Sequence, residues 1–251
     1  MKFYLNIPIV FPGNITKTYD LVVPEGDSEK IPLLVWIHGG GWCAGEKWIY
    51  NDFERFTHRG FAVLSIAYRF SQEAPFPAQL IDCKYAVRWA RAHAAAYGYN
   101  ADKIIVGGSS AGGHLASLMG VTNGQSAYDC GENLQYRSDV QAVVDSYGPV
   151  NLLAEEIPNL SQELSALLQE DPQKIHDASP LQLITGSEPP FLILHGTDDP
   201  LVPIAQSQRF YQALLAAGVD ARLVCVPGAG HGLDSLEVYN ALNDFLLTHG
   251  F

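Results

Sequence analysis

The chain has 251 residues, of which 47% are hydrophobic and 17% charged, so it has the composition of a folded globular protein rather than a disordered one. This length suits a single α/β domain with a sizeable buried core. The formal net charge of −12 argues against nucleic acid or an anionic membrane surface as a partner. The four cysteines form no C-x-x-C pair, so neither a zinc site nor a disulfide framework is predicted.

The amino terminus is apolar, but it is interrupted by Pro8 and Pro12 and lacks the small-residue cleavage site of a signal peptide. No apolar run in the sequence reaches the length of a membrane span. We therefore expect a cytoplasmic protein without a membrane partner. A secreted protein whose leader had been removed would have the same sequence.

Apolar strands and amphipathic helices alternate along most of the chain. Residues 3–24 predict one or two extended segments. Continuous apolar runs predict buried parallel strands at 33–37, 61–68, 103–106, 140–146, 190–194 and 221–226. Helical periodicity predicts helices at 48–59, 79–97, 204–217 and 236–248. This alternation predicts an α/β fold with a doubly wound, mostly parallel sheet, helices on both faces, and reactive loops at the carboxyl ends of the strands.

Two stretches do not follow this alternation. Residues 121–138 are rich in Asn, Gly, Ser and Gln and predict a loop, whereas residues 151–188 contain one short predicted helix at 160–169. We interpret both as candidate lid insertions within a single domain that spans residues 1–251.

A candidate nucleophile lies where the strand at 103–106 passes into a helix. Gly108-Ser109-Ser110-Ala111-Gly112 fits G-x-S-x-G, a strained turn that lifts the serine hydroxyl away from the sheet. We predict Ser110 as the nucleophile and the backbone N–H of Ala111, at the start of the helix, as an oxyanion donor. The alternative is ordinary turn material. A phosphate-binding loop is excluded because no Gly-Lys-Ser/Thr follows.

A second glycine-rich turn follows the strand at 33–37. Consecutive glycines after His38 allow backbone N–H groups to face a substrate oxygen without steric obstruction. We predict Gly40 and Gly41 as oxyanion donors and His38 as a residue that braces the loop. A flexible turn is the alternative.

The acid and the base are predicted on two further strand-end loops. The loop after the strand at 190–194 offers Asp198 and Asp199, and we choose Asp199 because Pro200 restrains its backbone. His231 lies on a Gly-rich loop after the final strand and is the candidate base, in the chain order Ser, Asp, His. His195 is interpreted as structural.

Aromatic residues near these loops are candidate substrate contacts. Trp42 and Tyr68, together with Trp48 and Phe70, could line a pocket at the strand ends, and core packing is an equal alternative for each. His114, one helical turn after Ser110, is more consistent with core bracing. No histidine pair has metal-ligand spacing, so neither a metal nor a cofactor is predicted.

Together, these motifs resemble the esterase/lipase branch of the α/β-hydrolase superfamily. The chain looks closest to a subgroup related to bacterial feruloyl and acetyl esterases and to arylformamidases, which also resembles hormone-sensitive-lipase-type esterases. The motifs that carry the resemblance are at residues 38–42, 108–116, 195–203 and 230–232.

The resemblance implies an α/β-hydrolase fold and places the acid four residues after the strand-end histidine, at Asp199. It also implies Gly40, Gly41 and Ala111 as the oxyanion donors. Two features depart from the hormone-sensitive branch. The stretch before His38 is too short for an amino-terminal helical cap, and Ser109 stands where many relatives carry Asp.

The sequence therefore predicts a serine carboxylesterase that acts on small-molecule esters of short-chain or aromatic acids, of the acetyl or feruloyl type, through an acyl-enzyme. An arylformamidase or a small peptidase could use the same groups. A catalytically silent binding module is the alternative from another class, although such proteins normally lose the nucleophile or the base. The sequence makes no prediction of oligomeric state.

Overall fold

The computed structural model of the protein describes residues 1–47 and 54–251. Its eight strands form one sheet in the order β1-β2-β4-β3-β5-β6-β7-β8. The strands are β1 Lys2–Phe11, β2 Ile15–Val23, β3 Leu33–Ile37, β4 Ala62–Ile66, β5 Ile104–Ser109, β6 Ala142–Ser146, β7 Phe191–Gly196 and β8 Ala221–Val226. Strands β3 to β8 run parallel, whereas β1 and β2 form an antiparallel hairpin at one edge. The prediction of a mostly parallel sheet is confirmed.

Seven α-helices accompany this sheet in the described part of the chain. They are α1 Glu54–Thr57, α2 Ala78–Tyr97, α3 Ala111–Val121, α4 Ser161–Leu168, α5 Pro172–Asp177, α6 Ala205–Ala216 and α7 Leu236–Thr248. Only the end of the helix predicted at 48–59 can be compared, because residues 48–53, including Trp48, lie outside the described residues. None of the helices described is long and apolar enough to cross a membrane.

The central strands are buried on both faces because helices cover each side of the sheet. Alternate side chains point to opposite faces, so Leu33 and Val35 of β3 pack in one core with residues of α2, α3 and α6. Leu34 points the other way and shares a second core with residues of α1 and α7. The apolar run of β3 is continuous for this reason.

The first candidate lid insertion, predicted at 121–138, begins at the last residue of α3 and continues through the irregular residues 122–139. Helix α3 starts at the carboxyl edge of the sheet and runs back, so a segment between its end and the start of β6 lies at the amino edge. The segment is held there by α2. Lys84 Nζ donates to the carbonyl of Thr122 at 2.9 Å, and Arg91 Nε donates to that of Arg137 at 2.9 Å.

Residues 151–178, called here the covering segment, follow β6 at the carboxyl edge and contain α4 and α5. The short helix predicted at 160–169 is confirmed as α4. A backbone hydrogen bond ties the covering segment to the stretch before α2: the N–H of Phe76 donates to the carbonyl of Leu167 at 3.0 Å. Leu164 and Leu167 are buried against the core. This segment therefore lies at the edge where the predicted site residues are found.

Candidate active site

Ser110 occupies a sharp turn between β5 and α3. Its backbone has φ 56° and ψ −122°, a strained conformation for a residue with a side chain. A Cβ at Gly108 would lie 2.4 Å from the Gly112 carbonyl, and one at Gly112 would lie 2.0 Å from the carbonyl oxygen of Ile37. The two glycines of the motif are therefore required by close backbone packing. This packing holds Ser110 in the strained conformation.

A continuous chain of hydrogen bonds links Ser110 to His231 and Asp199. The Ser110 hydroxyl lies 2.8 Å from His231 Nε2, and His231 Nδ1 lies 2.7 Å from Asp199 Oδ2. Since a carboxylate can only accept, Nδ1 carries the proton and Nε2 is left as an acceptor for the serine hydroxyl. Three residues from three strand-end loops thus form one possible route for a proton.

The Asp199 side chain is fully buried and fixed by several donors. Its Oδ1 accepts the backbone N–H of Leu201 at 2.8 Å and that of Val202 at 3.0 Å. Asp198, the other carboxylate of this loop, is exposed and accepts the hydroxyl of its neighbour Thr197. Of the two aspartates, the structure brings Asp199 and not Asp198 to His231.

His195 contacts the same carboxylate from below. Its Nε2 lies 2.9 Å from the carbonyl of Val202 and 3.3 Å from Asp199 Oδ2, while Nδ1 lies 2.6 Å from the Ser207 hydroxyl. Two acceptors face Nε2, so this nitrogen carries the proton and Ser207 donates to Nδ1. Burial lowers the pKa of His195 and favours the neutral ring. The sequence analysis did not predict this contact with Asp199, although His195 and Asp199 are four residues apart.

The glycine turn, residues 38–42 after β3, lies directly against the elbow, residues 108–112 between β5 and α3. A Cβ on Gly39 would lie 2.9 Å from the Ser109 carbonyl oxygen and 3.3 Å from the Ser110 Cβ, so a side chain there would displace the backbone beside Ser110. Gly40 and Gly41 have positive φ values of 110° and 58°. Among the described residues, no protein acceptor receives the backbone N–H of Gly40, Gly41 or Ala111. Of these three residues, Ala111 directly follows Ser110, and Gly40 and Gly41 follow Gly39, which packs against Ser110.

The proposed substrate contacts Trp42 and Tyr68 are both fully buried, with no exposed surface. The Tyr68 hydroxyl donates to the carbonyl of His38 at 3.1 Å, and its ring stacks on the His38 ring. Trp42 Nε1 donates to His114 Nδ1 at 3.0 Å. Their burial argues against direct contact with substrate. Both side chains support the glycine turn from its buried side, a role that only the folded packing could reveal.

Phe70, a further predicted substrate contact, is half-buried beneath the Lys17 ammonium.

His114 connects the glycine turn to the covering segment. Its Nδ1 accepts from Trp42, so Nε2 carries the proton and donates to the carbonyl of Ala178 at 2.7 Å. Burial lowers the pKa of His114 to about 4, which keeps the ring neutral. His114 therefore links α3, the glycine turn and the covering segment to one another.

Asp145, at the end of β6, is a buried carboxylate that sequence reasoning did not single out. Its oxygens accept the backbone N–H of Gly148 and the hydroxyl of Ser117, each at 2.8 Å. Burial raises the pKa of Asp145 to about 7. The next residue, Ser146, accepts the N–H of Ser110 through its carbonyl at 2.9 Å. A single Asp within an otherwise apolar predicted strand was the sequence feature that could have identified Asp145.

The parallel sheet, the serine on a strained turn after β5 and its hydrogen-bonded histidine define an α/β-hydrolase of the esterase/lipase type. The BD-FAE family model matches residues 19–214, and the chain belongs to this family. In the described residues, no group of three or more His, Cys, Asp or Glu side chains could hold a metal ion.

Curated relatives include two esterases of Mycobacterium tuberculosis. Esterase LipC is 33% identical over 221 residues and Esterase LipQ is 32% identical over 235 residues; the matches cover 84% and 86% of this chain and 55% of each relative. The chain thus spans about half the length of these relatives.

Solved structures agree with this classification. A truncated carbohydrate esterase from gut microbiota is 29% identical with a TM-score of 0.87, covering 99% of this chain and 96% of its own. The propionate-bound esterase Est2 of Thermogutta terrifontis is 26% identical with a TM-score of 0.78, covering 98% and 95%. The fold and the resemblance to esterases that the sequence predicted are confirmed.

Proposed function

We propose that the chain is a serine carboxylesterase that hydrolyses small esters of short-chain or aromatic acids, of the acetyl or feruloyl type. The observation that carries this proposal is the hydrogen-bonded chain from Ser110 through His231 to Asp199. The esterase relatives support the reaction class. A neighbour described as an acetyl ester-xyloside bifunctional hydrolase, 28% identical with a TM-score of 0.80, favours the acetyl type.

In the first half of the reaction, Ser110 Oγ attacks the ester carbonyl carbon while His231 Nε2 takes the hydroxyl proton. The imidazolium that forms is stabilised by Asp199. The carbonyl oxygen becomes an oxyanion, which would be bound by the backbone N–H groups of Gly40, Gly41 and Ala111. Removing one such donor costs about 3 kcal/mol of transition-state stabilisation.

The tetrahedral intermediate then breaks its bond to the alcohol oxygen, and His231 Nε2–H gives its proton to that oxygen. The alcohol leaves, and the acyl group stays on Ser110 Oγ. Water attacks this acyl-enzyme and transfers a proton to His231. The second tetrahedral intermediate releases the carboxylic acid as the proton returns to Ser110.

Replacing Ser110 tests the nucleophile. We expect Ser110→Ala to lower kcat by about 10⁶-fold and to abolish labelling by a fluorophosphonate probe, with the circular dichroism spectrum unchanged. Ser109→Ala is the matched control, which removes the neighbouring hydroxyl and should retain labelling. Hydrolysis and labelling that persist in Ser110→Ala would refute the assignment.

A substrate panel tests the specificity. We expect p-nitrophenyl acetate and butyrate to be hydrolysed with higher kcat/KM than the decanoate. An acetylated xylo-oligosaccharide, a feruloyl ester and an N-formyl aromatic amine complete the panel. A preference for the N-formyl compound would replace the esterase by a formamidase, and labelling without any turnover would contradict the esterase assignment.

A further inference from the structure

The covering segment places one carboxylate against the glycine turn. A Cβ at Gly41 would lie 2.9 Å from Cγ and 3.7 Å from Cβ of Glu163 in α4, so the two residues are in contact. The same point lies 3.7 Å from the Sγ of Cys43. Glu163 therefore borders the loop whose neighbouring residue, Gly39, approaches Ser110.

The Glu163 carboxylate has no hydrogen-bond or ion-pair partner among the residues that the structure describes, and its surface is partly buried. Burial and, to a smaller extent, the negative charge of Glu163 raise the pKa of the Cys43 thiol in this loop.

We propose that Glu163 is a specificity-determining residue that selects esters by charge, favouring a cationic group in the substrate and disfavouring an anionic one. The proposal rests on the esterase function proposed above. An unpaired charge in a partly buried site interacts with a charged ligand more strongly than it would in water. A carboxylate at this place attracts an ammonium group and repels a carboxylate or sulfonate, while the ester carbonyl itself binds at Ser110.

Three acetates of similar size test this selectivity: those of choline, of 3,3-dimethylbutanol and of 3-hydroxypropanesulfonate. In the native protein at low salt, we expect kcat/KM for the choline ester to exceed that for its neutral isostere by about fivefold, and the sulfonate ester to be disfavoured by a similar factor. Both ratios should fall towards one in 0.5 M NaCl, because salt screens the interaction.

Glu163→Gln should bring both ratios close to one at low salt, and Glu163→Asp should retain part of the preference. Glu29→Gln is the control, because it removes the same charge from an exposed turn before β3, at the opposite edge of the sheet. Ratios that Glu163→Gln leaves unchanged would overturn the proposal. A carboxylate that only stabilises the first turn of α4 would change the melting temperature and leave the ratios unaltered.

The two proposals fail in different ways. If the neutral ester is hydrolysed through Ser110 but charge has no effect, the esterase function stands and the role of Glu163 is refuted. If the native protein hydrolyses neither the three acetates nor the p-nitrophenyl and feruloyl esters of the panel above, both proposals are refuted; if it hydrolyses the panel but none of the three acetates, only the role of Glu163 is refuted.

Discussion

Two segments interrupt the alternation of strands and helices, and they are stabilised in different ways. Residues 122–139 lie at the amino edge of the sheet and are held by cationic side chains of α2. The covering segment lies at the carboxyl edge, buries Leu164 and Leu167 of α4, and reaches the glycine turn through Glu163. The two irregular stretches lie at opposite edges of the sheet because one follows a helix and the other follows a strand. Only the covering segment therefore lies beside Ser110.

The interactions of each segment fit its composition. Residues 122–139 contain few apolar side chains, so the segment is held through its carbonyl groups. Lys84, Arg88 and Arg91 lie on one face of α2 and are all buried there. Little solvent reaches this row, and burial accordingly lowers the pKa of Lys84 to about 8. The comparison predicts that changes in the first segment affect stability, whereas changes near the second also affect activity.

The largest effect is expected for Arg88→Met. Arg88 is fully buried and donates to the Asp129 carboxylate and to the carbonyl of Cys130. Removing its charge leaves both acceptors unpaired, so we expect a loss of about 3–5 kcal/mol in the free energy of unfolding, measured in urea. The kcat for a short ester should remain within about twofold while the variant is folded, since the segment is far from Ser110.

Arg137→Met is the matched control, because this guanidinium is 70% exposed and pairs only at the surface. It should cost less than about 1 kcal/mol. If Arg88→Met lowered kcat strongly in the folded protein, the distinction between the two segments would be wrong.

Asp145→Asn probes the place where the chain leaves β6 towards the covering segment. Burial raises the pKa of Asp145 to about 7 from its ordinary value of 3.8, so the folded state binds the proton more tightly than the unfolded state. The native protein should therefore lose stability as pH rises from about 4 to about 7. Asn can accept the Gly148 N–H through its oxygen and donate to the Ser117 hydroxyl through its NH2 group, without a buried charge. We expect it to gain on the order of 3 kcal/mol at pH 8 and almost nothing at pH 4. Unfolding curves that differ by the same amount at both pH values would contradict this account.

Trp42→Phe tests the connection between the glycine turn and the covering segment. The change leaves His114 Nδ1 buried without its donor, so we expect a loss of about 2 kcal/mol in the free energy of unfolding. Because the glycine turn would shift, kcat/KM should also fall by about tenfold. Trp89→Phe, in α2, is the control and should affect stability alone. Equal activity of the two variants would show that Trp42 does not position the turn.

The smallest effect is expected for Asp171→Ala at the start of α5. Asp171 accepts the backbone N–H groups of Gln173 and Lys174, and losing such a cap costs about 1 kcal/mol. Hydrogen exchange should become faster at residues 172–178 and remain unchanged at residues 122–139. Faster exchange in both segments would mean that they are coupled.

Much of the candidate site could be predicted from local sequence. Gly108 and Gly112 are required by contacts within the elbow and its neighbouring strand, so the motif itself carries the conformation of Ser110. Asp199 and His231 follow parallel strands, whose carboxyl ends meet at one edge. The structure brings both within hydrogen-bond distance of their partners for that reason.

Other features were decided only by tertiary packing. Nothing local distinguishes a buried Trp42 from one that faces a pocket, and the edge at which residues 122–139 lie depends on the direction of α3. The burial of Asp145 and the contact of His195 with Asp199 likewise depend on what packs around them. The sequence by itself determined the alternation of strands and helices, the geometry of the turns and the types of reactive group. These features follow from backbone sterics and hydrophobic periodicity. The tertiary structure decided burial, partners and charge environment, because these depend on residues far apart in the chain.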